Sequence, residues 1–389
     1  MNKNGHRVLI LSGSYGDGHK QAAEAIRREV LHRYPGAETV LLDFMEWTHP
    51  FTNTIGRYMF LKGLQTFPSA YGYVYNKTRE ANMFSYILKR FNRLGLGRML
   101  KLLQEVEPTV VVSTFPPAAG AMSAVRAYGL YEVPTVTVIT DHTDHSYWVY
   151  PETDKYLVGS GTVLEGLIHA GVSRDKIEVT GIPIRPEFQG TYERSQTRIK
   201  LGLDPEMPTV LFMGGGCGMM GSELAHRLEA VESLPVRTQL IVVCGNNEKL
   251  RSQIAELAGR TRHRIIATGY VNNVHEWMAA ADLLVTKPGG LTISEAMAMK
   301  LPIVIYKALP GQEEDNARFL LASGVAVKAG NMTGLISHLD GFLRNPSLLS
   351  AMRGKLESME RMNASAEAVR IMLQTRVQRR YAPVLQEIW

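Results

Sequence analysis

The sequence predicts an α/β protein of two doubly wound, Rossmann-like parallel sheets that face each other across a cleft. Three observations predict it. Short β-branched apolar runs alternate with amphipathic helical stretches along most of the 389 residues, as in a parallel sheet buried on both faces. The alternation breaks once, at GIPIRPEF (181–188) with its two prolines, and then restarts. Glycine-rich turns follow strands in both halves, at the strand ends where ligands of such sheets bind.

The elements follow in order. RVLILSG (7–13) reads as the first strand and KQAAEAIRREVLHRY (20–34) as an amphipathic helix. TVLLDF from Thr39 is the second strand. A helical insert intervenes before TVVVSTF from Thr109, TVTVIT from Thr135, KYLVGS from Lys155 and KIEVTG from Lys176. After the break come TVLFMGGG from Thr209, TQLIVVCG from Thr238, RIIATGYV from Arg264, LLVTK (283–287) and LPIVIY from Leu301. From about Ala364 the tail has apolar residues three and four apart, a helical spacing. The expected organisation is therefore an N-terminal domain over 1–184 carrying an insert at 57–103, a C-terminal domain over 185–363, and a helical tail, 364–389, that packs back on the N-terminal domain.

A charged fraction of 21% and a hydrophobic fraction of 45% describe an ordinary globular chain and exclude a disordered one. Cys217 and Cys244 both sit beside glycines in α/β context, so no disulfide framework is implied and a reducing cytosol fits. The start, MNKNGHRVLILSG, faintly resembles a signal peptide. Because it runs straight into GDGH and a helix, it is better taken as a core strand. No apolar run reaches the ~18–20 residues that cross a bilayer.

The net charge of +6 is unevenly spread. Between Arg57 and Leu103 lie nine Lys/Arg and a single acidic residue, Glu80, which leaves the rest of the chain at −2. Nine aromatics share the segment, from Tyr58 to Phe91. Cations interleaved with amphipathic rings suit an anionic lipid surface. A nucleic-acid face selects a similar mixture, and so does a solvated helix with core aromatics behind it.

The most informative stretch is KPGGLTISEA (287–296) followed by PGQEEDNA (310–317). Gly289 and Gly290 end a strand and open a helix, whose N-terminus favours an anion. Thr292 and Glu295 fit a capping box. Alternatively, Glu295 can accept two hydrogen bonds from a vicinal diol such as a ribose. Gln312, Glu313 and Asn316 can grip sugar hydroxyls, which together suits a nucleotide-sugar donor. GSYGDGH (13–19) opens the first helix. Its glycines, Gly18 among them, allow close backbone approach to a ligand, and His19 at a helix N-terminus stays neutral and fit to act as a general base. MGGGCGMMG (213–221) offers Gly214, Gly215, Gly216 and Gly218 as a nest of N–H groups for phosphate. Arg185 on the hinge adds a cation. Tyr270 and Val271 at a strand end can meet a flat base. TDHTDHSYW (140–148) has a metal reading through Asp141, His142, Asp144 and His145. No cysteine is nearby and the chain contains no Asp-x-Asp motif, however, and the favoured expectation is a hydrogen-bonding cleft loop in which Asp141, His145 and Trp148 bind or orient an acceptor.

The ordered set GDGH, TD…H..W, GIPIRP and KPGG.T..EA…PGQE..NA resembles the diacylglycerol glycosyltransferases: processive diacylglycerol β-glucosyltransferases, monogalactosyldiacylglycerol synthase and, more distantly, the N-acetylglucosaminyltransferase that makes lipid II. The resemblance spans nearly the whole chain. It implies a GT-B fold, with UDP held by the C-terminal domain and the lipid acceptor by the N-terminal one. It also implies that His19 is the base, Glu295 the ribose ligand, Gln312 and Glu313 the sugar-gripping pair, and Arg185 with the Gly214–Gly218 turn the diphosphate contacts. The acidity of DHTDH departs from relatives, so no role passes to Asp144. The expected activity is inverting, metal-independent and cofactor-free transfer of a hexose, most simply glucose, from a UDP-sugar to diacylglycerol, possible in repeated rounds. The enzyme would be cytoplasmic and peripheral to the inner face of the cell membrane, with no nucleic-acid partner. A UDP-sugar 2-epimerase of the same fold and a member acting on another lipid are the alternatives. Glucose against galactose stays open.

Overall fold

The computed structural model describes residues 5–50, 66–90, 95–214, 228–359 and 363–377, together with 53, 56, 58, 59, 62 and 63. Six parallel strands form the first sheet: β1 (Arg7–Ser12), β2 (Glu38–Asp43), β3 (Val110–Ser113), β4 (Thr135–Val138), β5 (Lys155–Val158) and β6 (Ile177–Val179). They are ordered β2-β1-β3-β4-β5-β6. The central strands are apolar without alternation because helices cover both faces; Val8, Leu9, Ile10 and Leu11 are all essentially fully buried.

The second sheet contains β7 (Thr209–Met213), β8 (Gln239–Val243), β9 (Arg264–Thr268), β10 (Leu283–Thr286), β11 (Ile303–Tyr306) and β12 (Ala326–Ala329). Its order, β12-β11-β10-β7-β8-β9, is again all parallel. The α/β, doubly wound expectation thus holds for both halves. Strand β12, with the sequence AVKA, was not foreseen. It is four residues long, half alanine, and carries a lysine on its open side, so it lacks the β-branched signal of its neighbours.

Two connections position the cleft. Helix Asp17–Arg33 follows β1 and buries Ala22, Ala23, Ala25, Ile26 and Val30. Ala22 reaches the core of the second half beside Leu291. The final described helix, Ala364–Gln374, returns to the first sheet. Its Ala368, Val369 and Met372 join Val8, Ile10 and Ile26 in one core, and Ser365 Oγ donates to the carbonyl of Ile184 at 2.6 Å. The insert contributes helices Pro68–Thr78, Met83–Arg90 and Leu96–Val106. Among the described residues no helix is long and apolar enough to cross a membrane.

Candidate functional site

One side of the cleft is built on the strand ends of the second sheet. After β10, helix Gly290–Ala298 starts at Gly289, which caps it without any side-chain hydrogen bond. The capping-box expectation for Thr292 and Glu295 therefore fails: both lie inside the helix, the third and sixth of its residues, and neither serves its end. They line instead a single pocket shared with Arg185, Gly214, Tyr270 and Val271, which Asp17 and Gln21 close from the first half. Residues far apart in sequence converge on it because β7, β9 and β10 all end on the same edge. Glu295 is 6% exposed, and burial pushes its carboxyl up to about 8, opposed by the Arg185 guanidinium. Arg185 rests over the Phe188 ring at 5.2 Å and donates from Nη1 to the Asn272 carbonyl at 3.3 Å. Its Nε is buried with no hydrogen-bond partner. Gly215, Gly216 and Gly218 lie outside the described residues.

The polar loop after β11 behaves differently from its sequence image. Gly311, at φ +100°, turns the chain into helix Gln312–Ala322. Glu313 is buried, with Lys287 Nζ on one oxygen at 2.8 Å and the Leu309 N–H on the other at 2.9 Å. Asn316 is wholly buried. Its Nδ2 donates to Asp141 Oδ1 at 2.8 Å and to the Pro288 carbonyl at 2.9 Å, while its Oδ1 accepts from the His142 N–H at 2.6 Å. The amide thus stitches the two halves together, and in this arrangement it does not present itself to a sugar. Gln312 is the half-exposed member, its Oε1 accepting from Tyr71 Oη at 2.6 Å.

On the facing side His19 is the third residue of its helix, packed between Phe115 (ring centroids 5.3 Å apart) and Trp148 (5.9 Å). A Cβ on Gly18 would stand 3.9 Å from Leu291 Cβ of the second half. Burial lowers the His19 imidazole to about 4, so it is neutral at physiological pH; the positive end of the helix acts in the same direction. Nδ1 contacts Thr140 Oγ1 at 2.9 Å, and Thr114 Oγ1 anchors the His19 carbonyl at 3.0 Å. Gly290 has a specific reason to be glycine: a Cβ there would sit 2.1 Å from the Thr140 carbonyl oxygen. The helix carrying Glu295 therefore abuts the loop that holds His19. The group that meets that helix start is the Asp141 carboxyl, which accepts from the Gly290 N–H; burial pushes it up to about 7.

The remaining loop residues turn in different directions. His142 stacks on Phe319 at 3.7 Å. Asp144 pairs with Arg79 at 2.9 Å. His145 Nε2 contacts Thr78 Oγ1 and the Tyr75 carbonyl, and its Nδ1 accepts from the Tyr147 N–H, capping the short turn that places Trp148. Among the described residues no group of three or more His, Cys, Asp or Glu is arranged to hold a metal ion. Thr140, Lys287, Tyr71, Tyr75 and Arg79 were not foreseen as part of the site. Tyr75 and Arg79 both reach Asp315, at 3.0 and 2.8 Å. The available signal was Gly72, a glycine inside a helix flanked by tyrosines.

Comparison with known proteins agrees with this geometry. Residues 19–184 match the family model described as monogalactosyldiacylglycerol (MGDG) synthase, and residues 193–366 the model described as glycosyl transferases group 1. The chain is 30% identical over 372 residues to the processive diacylglycerol β-glucosyltransferase of Bacillus pumilus (strain SAFR-032), covering 94% of each chain. It is 31% identical over 373 residues to that of Bacillus mycoides (strain KBAB4), covering 94% of this chain and 93% of the relative. Among solved structures, MurG of Acinetobacter baumannii superposes with a TM-score of 0.62 at 15% identity, over 96% of this chain and 100% of that one. UDP-GlcNAc 2-epimerase from Neisseria meningitidis, bound to UDP-GlcNAc, superposes at 0.60 and 14% identity, over 95% and 100%. Likenesses at that identity speak to the fold alone, which is GT-B.

Proposed function

Because the chain belongs to the diacylglycerol glycosyltransferase family, we propose that it transfers a hexose, glucose in the first instance, from a UDP-sugar to the hydroxyl of diacylglycerol at a membrane surface. The observation that carries this is the meeting of two chemistries in one cleft. The Glu295–Arg185 pocket is closed by Asp17 and Gln21, which belong to the same helix as the neutral His19.

In this mechanism Tyr270 and Val271 take the base, Glu295 the ribose hydroxyls and Arg185 the diphosphate. His19 removes the proton from the acceptor hydroxyl. The oxygen attacks the anomeric carbon opposite the UDP, a new C–O bond forms, and the bond to the leaving phosphate oxygen breaks with its electron pair leaving on UDP. The configuration inverts from α to β. The charge gathering on the diphosphate is met by Arg185, beside Gly214 in the pocket wall, without a divalent cation. Orientation supplies part of the acceleration and the base about 10²–10⁴-fold. Activity undiminished by EDTA is the corresponding expectation.

The acceptor would be presented by the insert. Phe67, Tyr73 and Met83 are 67%, 65% and 78% exposed, with Tyr58, Phe84, Tyr86 and Ile87 also open. Lys62 and Lys77 lie over Tyr58 and Tyr73. Such a face suits an anionic bilayer, each nearby cation adding about 1 kcal/mol, and would hold the enzyme peripherally on the cytoplasmic side. A UDP-sugar 2-epimerase needs the donor pocket but has no use for this greasy basic face, and a nucleic-acid protein leaves the donor pocket without a task. Incubation with a panel of UDP-hexoses and diacylglycerol vesicles, followed by mass analysis of the lipids, is the test. The expected outcome is lipid heavier by one or more hexoses; unchanged lipid beside an isomerised sugar nucleotide would overturn the proposal.

A further inference from the structure

The insert helix Pro68–Thr78 has two sides. Tyr73 and Val74 face outward and are exposed. Tyr71, Tyr75 and Thr78, spaced four and three apart, share the inner side, and that side lies on the turn that begins the helix Gln312–Ala322. The fit is close. A Cβ on Gly72 would stand 2.4 Å from Pro310 Cβ, and one on Gly311 would stand 2.9 Å from Tyr71 Cε1. Two glycines, one from each half of the molecule, therefore let the helix settle on Pro310–Gly311. Tyr75 and Arg79 then clamp Asp315, four residues beyond Gly311, so the contact is anchored at a second point along the chain.

Within that contact Tyr71 Oη donates to Gln312 Oε1 at 2.6 Å. A carboxamide has one acceptor oxygen and an NH₂ with two donors. With the oxygen turned to the tyrosine, the rotation of the amide is set and its two NH₂ donors are directed away from Tyr71. We infer that Tyr71 is a positioning residue for the donor sugar: it holds the Gln312 amide so that its NH₂ donates to a hydroxyl oxygen of the hexose. This rests on the donor-site assignment proposed above. It means that the acceptor half completes both parts of the donor site, the insert helix at the sugar and Asp17 and Gln21 of the first helix at the nucleotide pocket.

A double-mutant cycle read by calorimetry tests this, using UDP and UDP-glucose as separate probes on the full-length wild type, Tyr71→Phe, Gln312→Ala and the double variant. UDP affinity is expected to be the same in all four, which also reports folding. UDP-glucose affinity is expected to fall about two- to ten-fold in Tyr71→Phe, with no further fall when that change is added to Gln312→Ala. In turnover assays Tyr71→Phe should raise the KM for UDP-glucose and leave that for diacylglycerol unchanged. Wild-type UDP-glucose affinity in Tyr71→Phe, equal losses for UDP and UDP-glucose, or additive losses in the double variant would each overturn the inference alone. A wild-type protein that binds neither nucleotide would overturn the donor-site assignment, and the inference with it.

Discussion

His19 and Glu295 are opposite solutions to burial. Desolvation disfavours the charged form of each, so the imidazole loses its proton readily and the carboxyl keeps its own. For His19 the consequence is a base that stays available well into acid. The acid limb of kcat/KM is expected near pH 4, far below the 6.5 of an ordinary histidine; an acid limb at 6–7 would contradict the assignment. Replacing His19 by Ala should cost about 10²–10⁴-fold in turnover with UDP affinity preserved, since the ring does not line the Glu295–Arg185 pocket. For Glu295 the sign runs the other way. Its folded pKa of about 8 lies above the 4.5 of the free group, so between those values the folded state binds more protons than the unfolded one. Stability is then lost as pH rises from about 4.5 to 8, at no more than ~1.4 kcal/mol per pH unit. Glu295→Gln removes that loss, so the variant's melting temperature should climb relative to wild type between pH 5 and 8. A difference constant over that range would show that Glu295 is ionised throughout. The opposing contributions of the buried histidines cancel in this comparison.

At the level of elements, the seating of helix Pro68–Thr78 on Pro310–Gly311 sets a prediction against intrinsic propensity. Gly72→Ala should favour the isolated helix by about 1 kcal/mol. Yet its methyl would meet the rigid Pro310 ring at 2.4 Å and lift the helix away. The expected result is a several-fold rise in KM for the UDP-hexose; a variant equal to wild type would show that the contact is dispensable. This contact also marks where the sequence stops being legible. Strands such as RVLILS and QLIVV declare themselves by apolar β-branched runs, and GDGH, Arg185 and Glu295 could be named because they stand in a glycine turn after a strand, on the proline-marked hinge and one turn into a helix behind two glycines. What spacing cannot show is which side chains are consumed by other protein groups. Asn316 looks in sequence like one more polar residue of a sugar loop, but in space it is fully bonded to Asp141, Pro288 and His142. Thr292 and Glu295 look like a cap because the helix start cannot be placed to within a turn from sequence. Strand β12 lacks the composition that would announce it.

For the whole molecule, the two sheets are tied by contacts that also belong to the candidate site: Asn316 across to Asp141, Gly290 against Thr140, and the insert helix over the Pro310–Gly311 turn. The open face of that insert carries the lipid prediction. Tyr73→Ser combined with Met83→Ser and Tyr86→Ser should weaken binding to anionic vesicles and leave UDP affinity untouched, as followed by co-sedimentation and calorimetry. Equal sedimentation of variant and wild type would move the docking surface elsewhere. The same assay should show tighter binding to anionic than to neutral vesicles, weakening with salt. Everything converges on an acceptor oxygen attacking the anomeric carbon from the side opposite UDP. The proton NMR spectrum of lipid made from UDP-α-glucose and diacylglycerol reports that directly. A β-linked glucosyl diacylglycerol is the expected product; an α-linked one, or none while UDP-glucose is consumed, would contradict the arrangement of His19 and the Glu295 pocket.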